Sequence, residues 1–226
     1  MTPLHDRLAS IHERIRTAAS RAARDPGSIE LMAVSKTFPV EAIQEAVSAG
    51  QTLFGENRVQ EILAKAPLLP AHLRWHLIGP LQSNKIRKVL PHVEMIQSVH
   101  SLDIARHIQR IASELDLRPR ILLEVNIAAE PTKHGFSPAD LPGQIDELLA
   151  HDRLSIEGLM GIPPFEENAE TARPHFAALR LLRDALQIRS GLPLPALSMG
   201  MSHDFEVAIE EGSTLVRVGT AIFGGR

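Results

Sequence analysis

Residues 31–37 read Leu31-Met32-Ala33-Val34-Ser35-Lys36-Thr37, an apolar run that ends on a single lysine. A short apolar run without polar alternation is typical of a parallel strand buried on both faces. We expect Lys36 to be the last residue of this strand and to point into the cavity at its C-terminal end, where parallel α/β folds place their chemistry. A lysine buried there sheds hydration and can act as an amine nucleophile toward a carbonyl. The alternative is a strand-end lysine whose ammonium group stays in solvent.

Length, charge and cysteine content limit the classes of protein to consider. With 226 residues, 44% of them hydrophobic, and no linker-like tract, the chain can bury one core, so we expect one domain over residues 1–226. The net charge is −3, and positive and negative residues are interspersed along the chain. No apolar run approaches the roughly 18 residues of a membrane span. We therefore expect neither nucleic-acid nor membrane partners. The absence of cysteine removes disulfides, thiolate metal sites and thiol catalysis and, together with a polar start, favours a cytoplasmic location.

Strand-like and helix-like segments alternate along the rest of the chain. We count eight predicted strands separated by seven helices, preceded by an extra amphipathic N-terminal helix. Repeated βα units require a parallel sheet with right-handed crossovers, and eight of them close most economically into an α/β fold of the (β/α)8 TIM-barrel type. A doubly wound open sheet is the alternative, although no GxGxxG motif follows the first strand. The predicted strands cover residues 31–36, 52–55, 74–78, 92–98, 121–125, 154–160, 196–199 and 214–218.

Polar residues and glycines gather where the predicted strands end. Lys36 follows strand 1, Asn57 follows strand 2, and His76 lies at the end of strand 3. Such residues are individually ordinary turn chemistry. Their joint placement favours a functional site at the C-terminal ends of the strands, as a barrel predicts.

The loops after the last two strands have the chemistry of an anion site. TIM barrels bind phosphate there through backbone N–H groups and the start of a short helix. These loops offer the hydroxyls of Ser198, Ser202 and Thr220 and the amides of Gly200 and Gly219. A phosphorylated ligand with a carbonyl near Lys36 would fit both ends of the cavity. Pyridoxal 5'-phosphate (PLP) is one such molecule, and a sugar phosphate used by a Schiff-base aldolase is another.

Arg217 favours the first of these ligands. It lies between the predicted phosphate loops and the barrel mouth, where a permanent cation could face the pyridine nitrogen of PLP. A cation there disfavours protonation of the ring and makes the ring a poorer electron sink. The alternative is an ordinary ion pair with Glu206, Glu210 or a neighbouring carboxylate at the barrel end.

Six segments of the chain carry longer motifs. They are Ala33-Val34-Ser35-Lys36-Thr37, Phe54-Gly55-Glu56-Asn57-x-Val59-Gln60-Glu61, Trp75-His76-Leu77-Ile78-Gly79-Pro80-Leu81-Gln82-Ser83-Asn84-Lys85, Gly158-Leu159-Met160, Leu197-Ser198-Met199-Gly200-Met201-Ser202 and Val216-Arg217-Val218-Gly219-Thr220-Ala221-Ile222-Phe223-Gly224. Together they resemble the YggS/PROSC family of pyridoxal phosphate homeostasis proteins, over nearly the whole chain.

The resemblance implies a barrel similar to the N-terminal domain of alanine racemase. Lys36 would hold PLP as a Schiff base, the loops after strands 7 and 8 would hold its phosphate, and Arg217 would face its ring nitrogen. The implied role is intracellular PLP (vitamin B6) homeostasis and amino-acid balance without established turnover. Apo PLP-dependent enzymes are the candidate partners, and we expect a monomer. The implied cofactor-binding residues are Lys36, Asn57, His76, Ser198, Met199, Ser202, Arg217, Gly219 and Thr220, with no catalytic and no metal-binding residue.

A small racemase-like or decarboxylase-like PLP enzyme is the alternative function. A two-base racemase needs an acid–base group on each face of the cofactor. Lys36 could serve one face, but the chain has no tyrosine and no cysteine for the other, which leaves His76, His134 or His203. We therefore expect no racemisation of amino acids.

Overall fold

The computed structural model describes residues 3–130 and 133–225, which form a closed barrel of eight parallel strands. The strands follow one another around the barrel in sequence order, and β8 closes onto β1 through the pairs Leu31–Val216 and Ala33–Val218. This confirms the predicted α/β TIM barrel, whereas the open-sheet alternative is wrong. The strands are β1 (Glu30–Val34), β2 (Leu53–Glu56), β3 (Arg74–Leu77), β4 (Met95–Val99), β5 (Arg120–Val125), β6 (Ser155–Gly161), β7 (Ala196–Met201) and β8 (Leu215–Val218).

Helices connect the strands and cover the outside of the barrel. After the first helix, which precedes β1, each helix follows one strand of the barrel, so each βα unit packs back onto the sheet. The helices are α1 (Leu4–Arg21), α2 (Val40–Ser48), α3 (Val59–Lys65), α4 (Ile86–Val89), α5 (Leu102–Glu114), α6 (Leu141–Leu149), α7 (Arg173–Ser190), α8 (Phe205–Glu210) and α9 (Thr220–Phe223). Among the described residues, no helix combines the length and the apolar content that crossing a membrane requires.

Helix α1 is the predicted extra N-terminal helix, and it completes the outer layer beside α8 and α9. Its apolar stripe, which includes Leu8 and Ile11, is buried in one cluster with Phe205 and Ile222. Arg14 adds a two-pronged ion pair to Glu206 of α8, with nitrogen–oxygen distances of 3.0 and 2.9 Å. The helix is therefore an integral part of the barrel wall.

The alternation of side chains along each strand separates the outer layer from the lumen. Met32, Val34, Leu53 and Leu215 form one small cluster of lumen side chains, and Met95, Leu122 and Met160 form another. Trp75 and Leu77 belong to the outer clusters, so His76 between them points into the barrel. Val216 and Val218 also belong to an outer cluster, so the side chain of Arg217 between them points into the lumen.

Three predicted boundaries are wrong by a few residues. Strand β1 ends at Val34, so Lys36 is not its last residue but lies in a turn closed by a 3.1 Å hydrogen bond from Phe38 N to Ser35 O. The second strand, predicted over residues 52–55, instead runs from Leu53 to Glu56. The predicted fourth strand starts late, at Met95, because residues 90–92 form a 3₁₀ turn.

Candidate functional site

A chain of hydrogen bonds crosses the lumen of the barrel. The Gln97 side-chain amide donates to Nδ1 of His76 at 2.8 Å, and its carbonyl oxygen accepts from the Ser198 hydroxyl at 2.6 Å. Ser198 Oγ in turn accepts from Nη1 of Arg217 at 2.7 Å. Because Nδ1 of His76 accepts, the ring proton belongs on Nε2, which lies 3.7 Å from a carboxylate oxygen of Glu94. Four strands are thus joined through one buried polar network.

Arg217 is the charged end of this network, and it is almost completely buried, with 4% of its surface exposed. Its guanidinium donates to the Ser198 carbonyl oxygen at 2.7 Å and to the Gly161 carbonyl oxygen at 2.9 Å. Burial lowers the pKa of Arg217 to about 10, although the charges of Asp204 and Glu124 oppose that shift. The guanidinium is therefore a cation held by uncharged oxygen atoms.

The ion pairs we considered for Arg217 are formed by other arginines. Glu206 pairs with Arg14, and Glu210 pairs with Arg21 and Arg173. These carboxylates lie on α8, outside the barrel, whereas Arg217 points into the lumen. The alternative interpretation of Arg217 as an ordinary surface ion pair is wrong.

Glu124 is a half-buried carboxyl group at the mouth that the sequence analysis missed. It lines a cavity of about 300 Å³ together with Asn57, Asn126, Lys133 and His134. Burial raises the pKa of Glu124 to about 7, against the opposing charge of Arg217. A carboxyl group that titrates near neutrality can hold or release a proton at the mouth of the barrel.

The loops after β7 and β8 form a compact group of donors. Ser202 Oγ accepts from the Gly219 amide at 3.2 Å and from the Ala221 amide at 3.3 Å, which leaves its own hydroxyl proton to donate elsewhere. Thr220 begins α9 and is exposed. A Cβ at Gly219 would lie 3.2 Å from the Val34 carbonyl oxygen, so this backbone packs against the end of β1. We call Ser202, Gly219 and Thr220 the donor cup.

Lys36 lies in the turn that follows β1, two residues after Val34, against which Gly219 of the donor cup packs. Its side chain is exposed, so the expectation of a buried lysine stem is wrong, although Lys36 is at the C-terminal end of the barrel as expected. Asn57 follows β2 at the same end and is half-buried. Lys36, Asn57 and the donor cup are therefore gathered at one rim.

The other predicted site residues lie elsewhere. His76 and Ser198 are in the lumen network, and Ser198 is inside β7 rather than in the loop that follows it. The side chain of Met199 is buried in the outer cluster with Val207 and Ala208 of α8. Only the main chain of Met199 is thus available to a ligand in the barrel.

Two functional side chains were missed because each stands within an apolar run. Gln97 lies in Met95-Ile96-Gln97-Ser98-Val99, and Glu124 lies in Ile121-Leu122-Leu123-Glu124-Val125. An amide or a carboxyl group inside a buried strand needs a partner in the interior, and this was the available signal.

Comparison with known proteins places the chain in a family. The model of the alanine racemase N-terminal domain matches residues 7–226. The pyridoxal phosphate homeostasis protein of Aquifex aeolicus is 45% identical over 222 residues, which cover 98% of this chain and 97% of that protein. The chain belongs to the pyridoxal phosphate homeostasis protein family. The family member of Escherichia coli K12 is 41% identical over 234 residues, which cover 100% of this chain and 98% of that protein.

Solved structures agree with this family assignment. PipY of Synechococcus elongatus, determined with PLP bound, is 42% identical and superposes with a TM-score of 0.87, covering 98% of this chain and 100% of PipY. Alanine racemase of Clostridium difficile superposes with a TM-score of 0.77 at 15% identity, and the match covers 57% of that enzyme. This second likeness shows a shared barrel fold only.

Proposed function

We propose that this member of the family binds PLP covalently through Lys36 and serves intracellular PLP (vitamin B6) homeostasis and amino-acid balance. The observation that supports this most is that the exposed Lys36 and the donor cup share the C-terminal rim of the barrel, where Gly219 packs against Val34, two residues before Lys36. PLP has one group for each, an aldehyde for the amine and a phosphate for the cup. The PLP-bound structure of PipY, at 42% identity, supports the same choice of cofactor.

The residues present fit such a ligand chemically. PLP supplies an aldehyde, and its condensation with a neutral lysine amine forms a carbon–nitrogen double bond and releases one water molecule. The Ser202 hydroxyl has a free proton to donate to a phosphate oxygen, and Thr220 adds a second exposed hydroxyl. Asn57, which follows the neighbouring strand β2, would bound the site on the side of Lys36 away from the donor cup. A small residue at 219 lets the backbone approach an anion closely.

Arg217 would control the protonation of the cofactor ring from the lumen side. Its hydrogen bonds to Ser198 and Gly161 use uncharged oxygen atoms, so its positive charge is not cancelled by a directly bonded carboxylate. A cation facing the ring nitrogen disfavours its protonation. Gln97 and His76 hold Ser198 in place and act on the cofactor only through Arg217.

The side chains around the site favour a carrier over an enzyme. His76 is hydrogen-bonded to Gln97 through Nδ1, and its Nε2 lies 3.7 Å from Glu94. His134 packs against His100 and His203 against Phe165 in tilted ring pairs, with centroids 5.1 and 5.4 Å apart. Glu124 keeps the enzymatic alternative open, because a carboxyl group with a pKa of about 7 can act as a general base. We propose that the protein has no turnover on amino acids.

Exchange of α-protons with solvent separates these two functions. The holo-protein is incubated with common L-amino acids in deuterium oxide, and free PLP is the control. We expect exchange no faster than with free PLP. Saturable exchange that is lost in both Lys36→Ala and Glu124→Gln would establish the enzymatic alternative.

Cofactor binding and delivery are tested by titration and transfer. We expect a visible absorbance band to appear with PLP, and much weaker binding of pyridoxal, which lacks the phosphate that the donor cup would hold. We also expect PLP to pass from this protein to an apo PLP-dependent enzyme faster than by prior release into solution. Equal affinity for PLP and pyridoxal would mean that the donor cup is not the phosphate site.

Three further parts of the proposal come from the sequence. They are a cytoplasmic location, a monomeric state and a single domain over residues 1–226. Apo PLP-dependent enzymes remain the proposed partners. Light scattering of the purified chain tests the monomer directly.

A further inference from the structure

A buried group of charges lies directly beneath the turn that carries Lys36. Its centre is Lys65, the last residue of α3, whose side chain is 10% exposed. Lys65 Nζ contacts carboxylate oxygens of Glu56 at 2.8 Å and of Glu61 at 2.7 Å. We call Lys65, Glu56 and Glu61 the Lys65 cluster. Neither the lumen network nor the donor cup includes any of these residues.

The Lys65 cluster contacts the chain on both sides of Lys36. On one side, Lys65 Nζ donates to the Ser35 carbonyl oxygen at 3.0 Å, and the Ser35 hydroxyl donates to Glu56 Oε1 at 2.7 Å. On the other side, the Thr37 amide donates to Glu61 Oε2 at 2.7 Å. The two neighbours of Lys36 are thus fixed by charged groups, while the Lys36 side chain itself is exposed.

The backbone of this turn needs such support. Thr37 has a φ of 66°, in the left-handed region, which is a strained conformation for a β-branched residue. The hydrogen bond from the Thr37 amide to Glu61 is made in that conformation. Burial alone would raise the pKa of Glu61. The hydrogen bonds from Lys65 and from the Thr37 amide outweigh burial and lower this pKa below its usual value. Glu61 is therefore an ionised acceptor that holds a strained residue next to Lys36.

We propose that the Lys65 cluster is the positioning device for Lys36: it holds the turn from Ser35 to Phe38 so that the Lys36 amine points toward the donor cup. This inference rests on the proposed function, because the position of the Lys36 amine matters only if Lys36 binds PLP. Lys65, Glu56 and Glu61 are positioning residues, since they act only through the backbone of the turn. Loosening the turn should weaken the covalent bond to PLP while the donor cup continues to bind the phosphate.

The first test substitutes Glu61, and Glu157 provides a matched control. The Glu61 side chain is 19% exposed and that of Glu157 is 20% exposed, and each carboxylate forms an ion pair with a Lys or Arg side chain. Glu157 belongs to β6 and pairs with Arg120 at the opposite, N-terminal end of the barrel. Glu61→Ala and Glu157→Ala should therefore differ at the Lys36 turn more than in overall stability.

Two readouts separate positioning from general damage. Without PLP, hydrogen exchange of the Thr37 amide should become faster in Glu61→Ala and stay unchanged in Glu157→Ala. With PLP, the apparent affinity should fall about 10- to 100-fold in Glu61→Ala, as expected when one charge-assisted hydrogen bond is lost. The share of bound PLP that borohydride fixes to lysine should fall as well. Glu61→Gln, whose amide oxygen can still accept from Thr37, should restore part of all three properties.

A second variant protects the test against a failure to fold. Lys65→Met alone would leave two carboxylates without their cation. It is therefore combined with Glu56→Gln, so that one positive and one negative charge are removed together. We expect this folded double variant to lose borohydride-fixed PLP as Glu61→Ala does. Wild-type levels of fixed PLP and wild-type exchange at Thr37 in both variants would overturn the inference. Failure of the proposed function would look different, since the wild-type chain itself would then form no bond at Lys36.

Discussion

Two buried cations near the mouth of the barrel have opposite surroundings. Lys65 lies under the Lys36 turn and contacts two carboxylates directly, those of Glu56 and Glu61. Arg217 lies in the lumen, and its hydrogen bonds go to uncharged oxygen atoms of Ser198 and Gly161. The charge of Lys65 is therefore neutralised within the protein, whereas the charge of Arg217 acts on its surroundings.

The difference separates a structural cation from a functional one. An ammonium group between carboxylates stabilises the backbone around it and exerts only a weak electrostatic field on a ligand. A guanidinium that hydrogen-bonds only to uncharged groups keeps its positive potential. In the buried lumen, interactions between charges are stronger than in bulk water. Arg217 is thus suited to act on a bound ring, and Lys65 is suited to fix the turn that holds Lys36.

The largest expected effect contrasts the two cations by removing each one. Lys65→Met leaves two carboxylates without their cation, and we expect it to lower the free energy of unfolding by about 3–5 kcal/mol. Arg217→Met leaves only uncharged acceptors behind, and we expect a smaller loss of about 1–3 kcal/mol. Urea unfolding at pH 7 measures both. A larger loss for Arg217→Met than for Lys65→Met would break the comparison.

The second prediction concerns Glu124, the carboxyl group that acts on Arg217 through space. Its pKa is raised by burial to about 7, from 4.5, so the folded chain binds this proton more tightly than the unfolded chain does. This contribution to stability is therefore present below pH 4.5 and is lost as the pH rises toward 7, by up to about 3 kcal/mol.

Glu124→Gln, which cannot ionise, should remove that part of the pH dependence. We expect the variant to gain stability over the wild type at pH 8 and to differ little from it at pH 5. Unfolding of both proteins in urea at the two pH values measures the effect. An equal difference at both pH values would show that Glu124 does not titrate in this range.

The smallest expected effect lies on the exposed rim. Thr220→Ala removes one donor from the donor cup and should weaken PLP binding by about 1.5–3 kcal/mol, with no effect on the unfolding midpoint. Thr52→Ala is the control, because Thr52 is exposed just before β2, at the other end of the barrel. If both variants bind PLP alike, the phosphate does not contact Thr220.

The barrel could be predicted because its signal is repeated along the chain. The parallel strands are covered on both faces and consist mostly of apolar residues, so apolar runs locate β1 to β8 to within a few residues. The ends of strands carry a weaker signal. Nothing in Val34-Ser35-Lys36 marks the residue at which pairing stops, and the strand ends at Val34 because the next residues turn toward the Lys65 cluster.

Side-chain direction was harder to predict than strand position. The pairing of β7 with β8 shifts register between Ser198 and Met201, so residues near the end of β7 cannot be assigned to lumen or rim by alternation alone. Ser198 was expected in the phosphate loop after the seventh strand, but it lies inside β7 and points into the lumen. The Lys65 cluster escaped prediction because it joins β1, β2 and α3, and no local pattern reveals such a meeting of charges.

The central claim is that PLP bonds to Lys36, and peptide mapping after borohydride reduction tests it most directly. We expect the reduced wild-type protein to carry the cofactor on the peptide that contains Lys36, and Lys36→Ala to carry none while its circular dichroism is unchanged. Lys133 is the informative comparison, since it lines the mouth cavity and pairs with Glu130 at 2.5 Å. Cofactor fixed on Lys133 in the wild type, or retained in full by Lys36→Ala, would contradict the account.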